Sequence, residues 1–85
     1  MSASRATIVE NLAALLKEAR TEQGLSLSEV AARAGIDRTM VMRVEELERM
    51  PTIDTLLRIA EALDIDLGAL IQRASKPSKR PREKT

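Results

Sequence analysis

Residues 30–45 read VAARAGIDRTMVMRVE. The stretch divides at Gly35. Before it, Val30, Ala31 and Ala34 share one face of a short helix. Gly35 sits where helices commonly end through a left-handed residue. After it, Asp37 has the short side-chain oxygen that caps a helix N-terminus. The helix it opens turns Val41 and Val44 inward, which leaves Arg38, Thr39, Met42, Arg43 and Glu46 on the outer face. Two short helices joined by a tight glycine turn are the centre of the chain.

Working outward, the start signals predict three more helices. Thr7 with Glu10 reads as a T-x-x-E capping box. The helix it opens runs to about Thr21, with Leu12, Leu16 and Ala19 on one face, and Gly24 ends that region. Ser26 with Glu29 is a second capping box, opening the helix that carries Val30. Pro51 ends whatever precedes it. Thr52 caps a fourth helix with Asp54 in its first turn and Leu56, Ile59, Ala60 and Leu63 inward. Asp66 caps a short fifth helix through Leu67, Leu70 and Ile71. The predicted organisation is all-α: a flexible N-terminus over 1–7, a five-helix domain over 8–74, and a tail over 75–85. The tail, SKPSKRPREKT, has two prolines, five basic residues and no apolar side chain, so it reads as disordered.

Composition narrows the chemistry. Eighty-five residues allow one small domain. Eleven Leu and twelve Ala against four Val favour helix over strand. With no aromatic residue, the core must be aliphatic. Cysteine and histidine are absent, which removes disulfides, Cys or His zinc sites, thiol catalysis and imidazole chemistry. No metal site or cofactor is expected. The remaining carboxylates lie at helix starts and exposed faces, where capping and solvation explain them, so no enzyme is expected. An unstapled small domain suits a reducing cytoplasm. The longest purely apolar run, Leu12 to Leu16, is far short of a membrane span. The net charge of +1 hides an asymmetry: nine Lys/Arg against twelve Asp/Glu over 1–74, five against one over 75–85. Bulk charge therefore does not by itself argue for nucleic acid.

The helix–turn–helix layout of residues 30–45, with L12-x3-L16-x3-R20-x3-G24-L25-S26 before it and P51-T-I-x-T-L-L-R-I-A-E-A-L-D-I65 after it, resembles the Xre / lambda-repressor-like DNA-binding family over roughly residues 8–73. The resemblance implies a five-helix domain that binds double-stranded operator DNA, usually as a homodimer. It places the second helix at about Leu27–Ala34 and a recognition helix for the major groove at about Arg38–Glu46. Arg38, Thr39 and Arg43 are then the expected base-reading residues. Arginine grips guanine with two hydrogen bonds, and Thr39 can donate to a base edge or touch a thymine methyl. Met42 lies on the same face. Met40 either contacts a thymine methyl or tucks against the second helix. The resemblance also pairs Arg20 with Glu45, a structural tether for the recognition helix.

The chain departs from the family pattern in three places. Leu27 replaces the Gln that often opens the second helix and touches phosphate. Leu47 occupies the usual Gly position after the recognition helix; a left-handed leucine is costly, so a longer third helix or a differently shaped loop before Pro51 is expected. Glu46 and Glu48 sit where carboxylates would repel phosphate, with Arg49 the nearby compensation, and the basic tail is expected to add attraction.

Two functions follow as expectations. One is a sequence-specific, dimeric DNA-binding regulator, a repressor or controller. The other is a protein-interaction module, such as an antitoxin binding a toxin, with DNA binding weak or lost. Candidate dimer surfaces are Ile8, Val9, Leu12 and Leu15 on the first helix, with Leu57, or helices four and five with Ile71.

Overall fold

Every helix among the described residues begins at a side chain that caps it. The computed structural model describes residues 4–76, in the order α1 (Arg5–Glu22), α2 (Leu27–Ala34), α3 (Arg38–Glu45), α4 (Ile53–Ala62) and α5 (Leu67–Ser75). The caps are Ser4, Ser26, Asp37, Thr52 and Asp66, and each side chain accepts a backbone N–H of the first turn. At α2 the exchange is reciprocal: Glu29 N–H donates to Ser26 Oγ at 3.0 Å and Ser26 N–H to Glu29 Oε1 at 2.7 Å. The hydrogen bond from the Ser26 backbone, and then that from its hydroxyl, hold the Glu29 carboxyl below the usual carboxylate range. Stability from that bond is present above the ordinary carboxylate pKa and is lost as pH falls through the depressed value.

The first helix differs from the expectation. The Thr7–Glu10 box does not form. Ser4, three residues earlier, accepts the Thr7 N–H at 3.2 Å, and Thr7 is already helical. Ser4 prevails because Arg5 and Ala6 are good helix formers, so an earlier cap adds a turn at little cost. Residues 4–7, expected to be flexible, are therefore a cap and the first turn. Of the expected tail, Ser75 ends α5, with its hydroxyl donating to the Ile71 carbonyl at 2.8 Å. Residues 1–3 and 77–85 lie outside the described residues.

Four helices close by one device. Gly24, Gly35, Leu47 and Asp64 take left-handed φ of 70°, 71°, 58° and 59°. The residue after each donates its N–H to the carbonyl five back: Leu25 to Arg20, Ile36 to Ala31, Glu48 to Arg43, Ile65 to Ala60. Glycine adopts this conformation freely and aspartate tolerates it. Leucine does not, and here the expectation of a longer α3 or another loop is corrected. Helix α3 stops at Glu45, and Leu47 turns the chain in the left-handed region despite a penalty of roughly 1–2 kcal/mol. The bonds from Leu47 to the Val44 carbonyl and from Glu48 to the Arg43 carbonyl satisfy two helix-end acceptors and offset it.

The interior is aliphatic. Leu16, Val30, Val41, Val44 and Leu63 are fully buried, surrounded by Leu12, Ala31, Ala34, Leu56, Ile59, Ala60, Leu67, Leu70 and Ala74. Helix α1 runs antiparallel to α5: Asn11 donates to the Ala74 carbonyl at 3.0 Å at one end, and Gln23 to the Leu63 carbonyl at 2.7 Å at the other. Helix α2 packs between α3 and α4. Arg58 of α4 donates to Asp54 at 2.8 Å and reaches the Ala34 carbonyl at 3.4 Å, across the end of α2.

Position 47 separates backbone strain from side-chain contact. Both Leu47→Gly and Leu47→Ala delete the leucine, but only glycine relieves the strain. The glycine variant is expected to be the more stable of the two by about 1 kcal/mol in urea denaturation. An alanine variant of equal or greater stability would show that the turn carries no strain.

Candidate nucleic-acid interface

An eight-residue helix is marginal on its own in water, so the direction in which α3 points its side chains is set by what holds it. Three anchors do so. Asp37 Oδ2 accepts the Thr39 N–H at 3.0 Å and fixes the start. Val41 and Val44 are buried and fix the rotation. Glu45 fixes the end. Arg20, in the last turn of α1, donates from Nε to Glu45 Oε2 at 2.6 Å and from Nη2 to Oε1 at 3.0 Å, a two-pronged contact. Its Nη1 donates to the Leu25 carbonyl at 2.9 Å. One guanidinium thus joins the end of α1, the α1–α2 turn and the end of α3. The Arg20 and Glu45 side chains are only 13% and 6% exposed, and the hydrogen bonds to Glu45 hold the Arg20 pKa above its ordinary value.

With that rotation set, Arg38, Arg43 and Glu46 are exposed, and Thr39 and Met42 are half-buried. Met40 is half-buried, like Thr39 and Met42, and packs against the core. Among the described residues neither Arg38 nor Arg43 has an ion-pair partner. The two guanidinium groups stand five residues apart on one helix with their donors unengaged by carboxylates. That is an arrangement able to meet a polyanion or the edge of a base pair. Glu46 and Glu48, at the α3 exit, are exposed beside Arg49.

The expected apolar surfaces divide between the core and the outside. Leu12 is buried, and Ile8, Leu15 and Ile71 pack against the core. Among the described residues the exposed large apolar side chains are Leu47, Met50, Ile53 and Leu57; Ile53 and Leu57 lie on α4, within a candidate surface, and Leu47 and Met50 lie outside the candidates. Among the described residues no group of His, Cys, Asp or Glu could hold a metal ion, and no helix is long and apolar enough to cross a membrane.

The pair at α3 makes a stability prediction. Glu45→Ala strands the guanidinium of Arg20 and is expected to lower the unfolding free energy by about 3 kcal/mol. Replacing both partners, Arg20→Met with Glu45→Leu, recovers much of that loss. A single-variant loss below about 1 kcal/mol in urea denaturation would mark the pair as an ordinary surface contact.

Comparison with known proteins gives this geometry a family. Residues 16–70 match the helix-turn-helix family. The chain is 36% identical over 67 residues to the HTH-type transcriptional regulator SutR of Escherichia coli, covering 74% of this chain and 38% of that protein. It is 36% identical over 61 residues to the ImmF control region 10 kDa protein of Bacillus phage phi105, covering 72% and 68%. The crystal structure of the restriction-modification controller protein C.AhdI from Aeromonas hydrophila superposes with a TM-score of 0.69 at 37% identity, over 76% of this chain and 97% of that one. The chain spans less than half the length of the first curated relatives it matches. With the match extending from the middle of α1 into α5 and taking in the whole two-helix centre, the chain belongs to the helix-turn-helix family, of the Xre and lambda-repressor-like kind.

Proposed function

We propose that the chain is a sequence-specific DNA-binding regulator of transcription that acts as a homodimer on a near-palindromic site. The observation that carries this reading is the outward face of α3. Arg38 and Arg43 are exposed and without ion-pair partners among the described residues, on a helix whose rotation is held by Val41, Val44 and the Arg20–Glu45 pair. Relatives named as a transcriptional regulator and a controller protein support it. In this reading α3 enters the major groove, Arg38 and Arg43 read guanine edges, and Thr39 and Met42 add contacts at the same face. Met40, packed against the core at the start of the same helix, either touches a thymine methyl or serves packing alone.

The chain works by occupancy, so repression by blocking access is its simplest mode. It is a binder and not a catalyst, uses no cofactor, and works in the cytoplasm. Two copies hold their α3 helices about 34–36 Å apart, one turn of the duplex. Leu27 replaces a side-chain phosphate contact, so the backbone N–H groups at the start of α2 supply it. Glu46 and Glu48 repel the backbone, and the basic residues 79–84 compensate.

Selection from a randomised DNA pool tests the reading. It predicts a palindrome with half-sites about 10 base pairs apart. Equal weak binding to every sequence would instead favour a protein-interaction module such as an antitoxin. Arg38→Ala and Arg43→Ala are each expected to cost about 1–3 kcal/mol of discrimination at one base pair, with melting temperature unchanged. Substantial unfolding would show that these arginines are structural. Deleting residues 77–85 is expected to flatten the salt dependence of affinity, by about 0.9 in log–log slope for each phosphate the tail neutralises, leaving base preference intact. An unchanged slope would show that the tail takes no part.

A further inference from the structure

Helices α1 and α5 leave a shallow groove between them. Leu15, Ala19, Ile65 and Leu70 form its floor, and the exposed Glu18 and Glu22 form its rim on the α1 side. Among the described residues neither carboxylate has an ion-pair partner. Arg73 lines the end nearer the α5 C-terminus, while the exposed Asp64 and Asp66 flank Ile65 at the other. The balance is acidic, most strongly away from Arg73. The groove encloses about 230 Å³, below the roughly 300–1,000 Å³ of pockets that enclose a small molecule. An open aliphatic trough with a carboxylate rim suits an extended cationic segment laid along it.

We infer that this groove is the docking surface for the chain's own basic segment, residues 79–84, when no DNA is bound. Three observations select that occupant. The first is charge. The segment reads KRPREK, four cations against one carboxylate, beside a body with nine Lys/Arg against twelve Asp/Glu over 1–74. The second is reach. Asn11 donates to the Ala74 carbonyl, so α5 delivers the chain to the near end of the groove. Glu18 and Glu22 lie about 11 and 17 Å beyond Asn11 along α1. Arg80 and Arg82 lie about 12 and 19 Å beyond Lys76 along an extended proline-rich chain. Pro77 favours the reversal that this path needs. The third is the alternation of side chains. Arg80 and Arg82 meet Glu18 and Glu22 with paired N–H donors, and Pro81 between them lays an apolar ring on the floor. Exposed ion pairs are individually weak, so a duplex displaces the segment by offering phosphates to the same four cations. That release rests on the DNA-binding reading above; the contact itself does not.

Nuclear magnetic resonance of the full chain without DNA tests the contact. The chain has no cysteine, so Thr85→Cys offers a single attachment point for a nitroxide. At low salt the amide signals of Glu18, Glu22 and Ile65 are expected to lose most of their intensity to the label. Glu18→Gln with Glu22→Gln in the same labelled chain is expected to restore them, with cooperative melting retained because both positions are exposed. Salt at about 1 M, where the Debye length is about 3 Å, is expected to restore them without any substitution. No preferential loss at these residues, or a loss that neither the variant nor salt reverses, overturns the inference. A loss of the same size when the nitroxide and the isotope label are carried by separate chains also overturns it, since the segment then docks on a second copy. No step uses DNA, so either result leaves selection from a random pool to judge the DNA-binding reading on its own.

Discussion

The structure depends on how one short helix is held. Helix α3 has eight residues and no capacity to persist alone. Its two inward valines give it a floor, but valines alone fix a face only approximately. The two-pronged contact between Arg20 and Glu45 removes the remaining freedom. It reaches from the last turn of α1 across the α1–α2 turn to the final residue of α3. Nearly buried, it is an interaction whose desolvation cost is offset by three hydrogen bonds from a single planar group. Together with the buried Val41 and Val44, it sets which side chains face outward from α3.

Capping holds the other helices in the same local way. Five short polar side chains open five helices, and four left-handed residues close the first four. Between them the aliphatic core needs no aromatic anchor, because the helices are short and the connecting turns tight. Where a residue breaks local preference, as Leu47 does, its side chain lies at an exposed apolar corner.

Much of this is legible in the sequence. Ser26 with Glu29, Asp37, Thr52 and Asp66 announce their helices through side-chain chemistry that acts within one turn, and the structure has all four starts there. The start of α1 is not legible in the same way, because Thr7-x-x-Glu10 and Ser4 offer overlapping caps and a local motif cannot rank two that compete. The turn at Leu47 escapes for a different reason: propensity measures the isolated residue, while the bonds closing α3 belong to the whole corner. The Arg20–Glu45 pair spans 25 residues and enters only through family resemblance, since no spacing rule reaches that far. The apolar stripe on α4 is hidden because Ile53 and Leu57 have the same i, i+4 spacing as the buried Leu56 and Ala60. Periodicity identifies a face without saying which side of the helix meets the core.

The central proposal is geometric: that α3 presents Arg38 and Arg43 to the edges of base pairs. A crystal structure of the chain on a duplex recovered by selection measures it most directly. The account predicts α3 in the major groove, with both guanidinium groups within hydrogen-bonding distance of base-edge acceptors and the Arg20–Glu45 contact intact behind them. A complex in which those arginines face solvent, or are covered by a partner subunit, would contradict it.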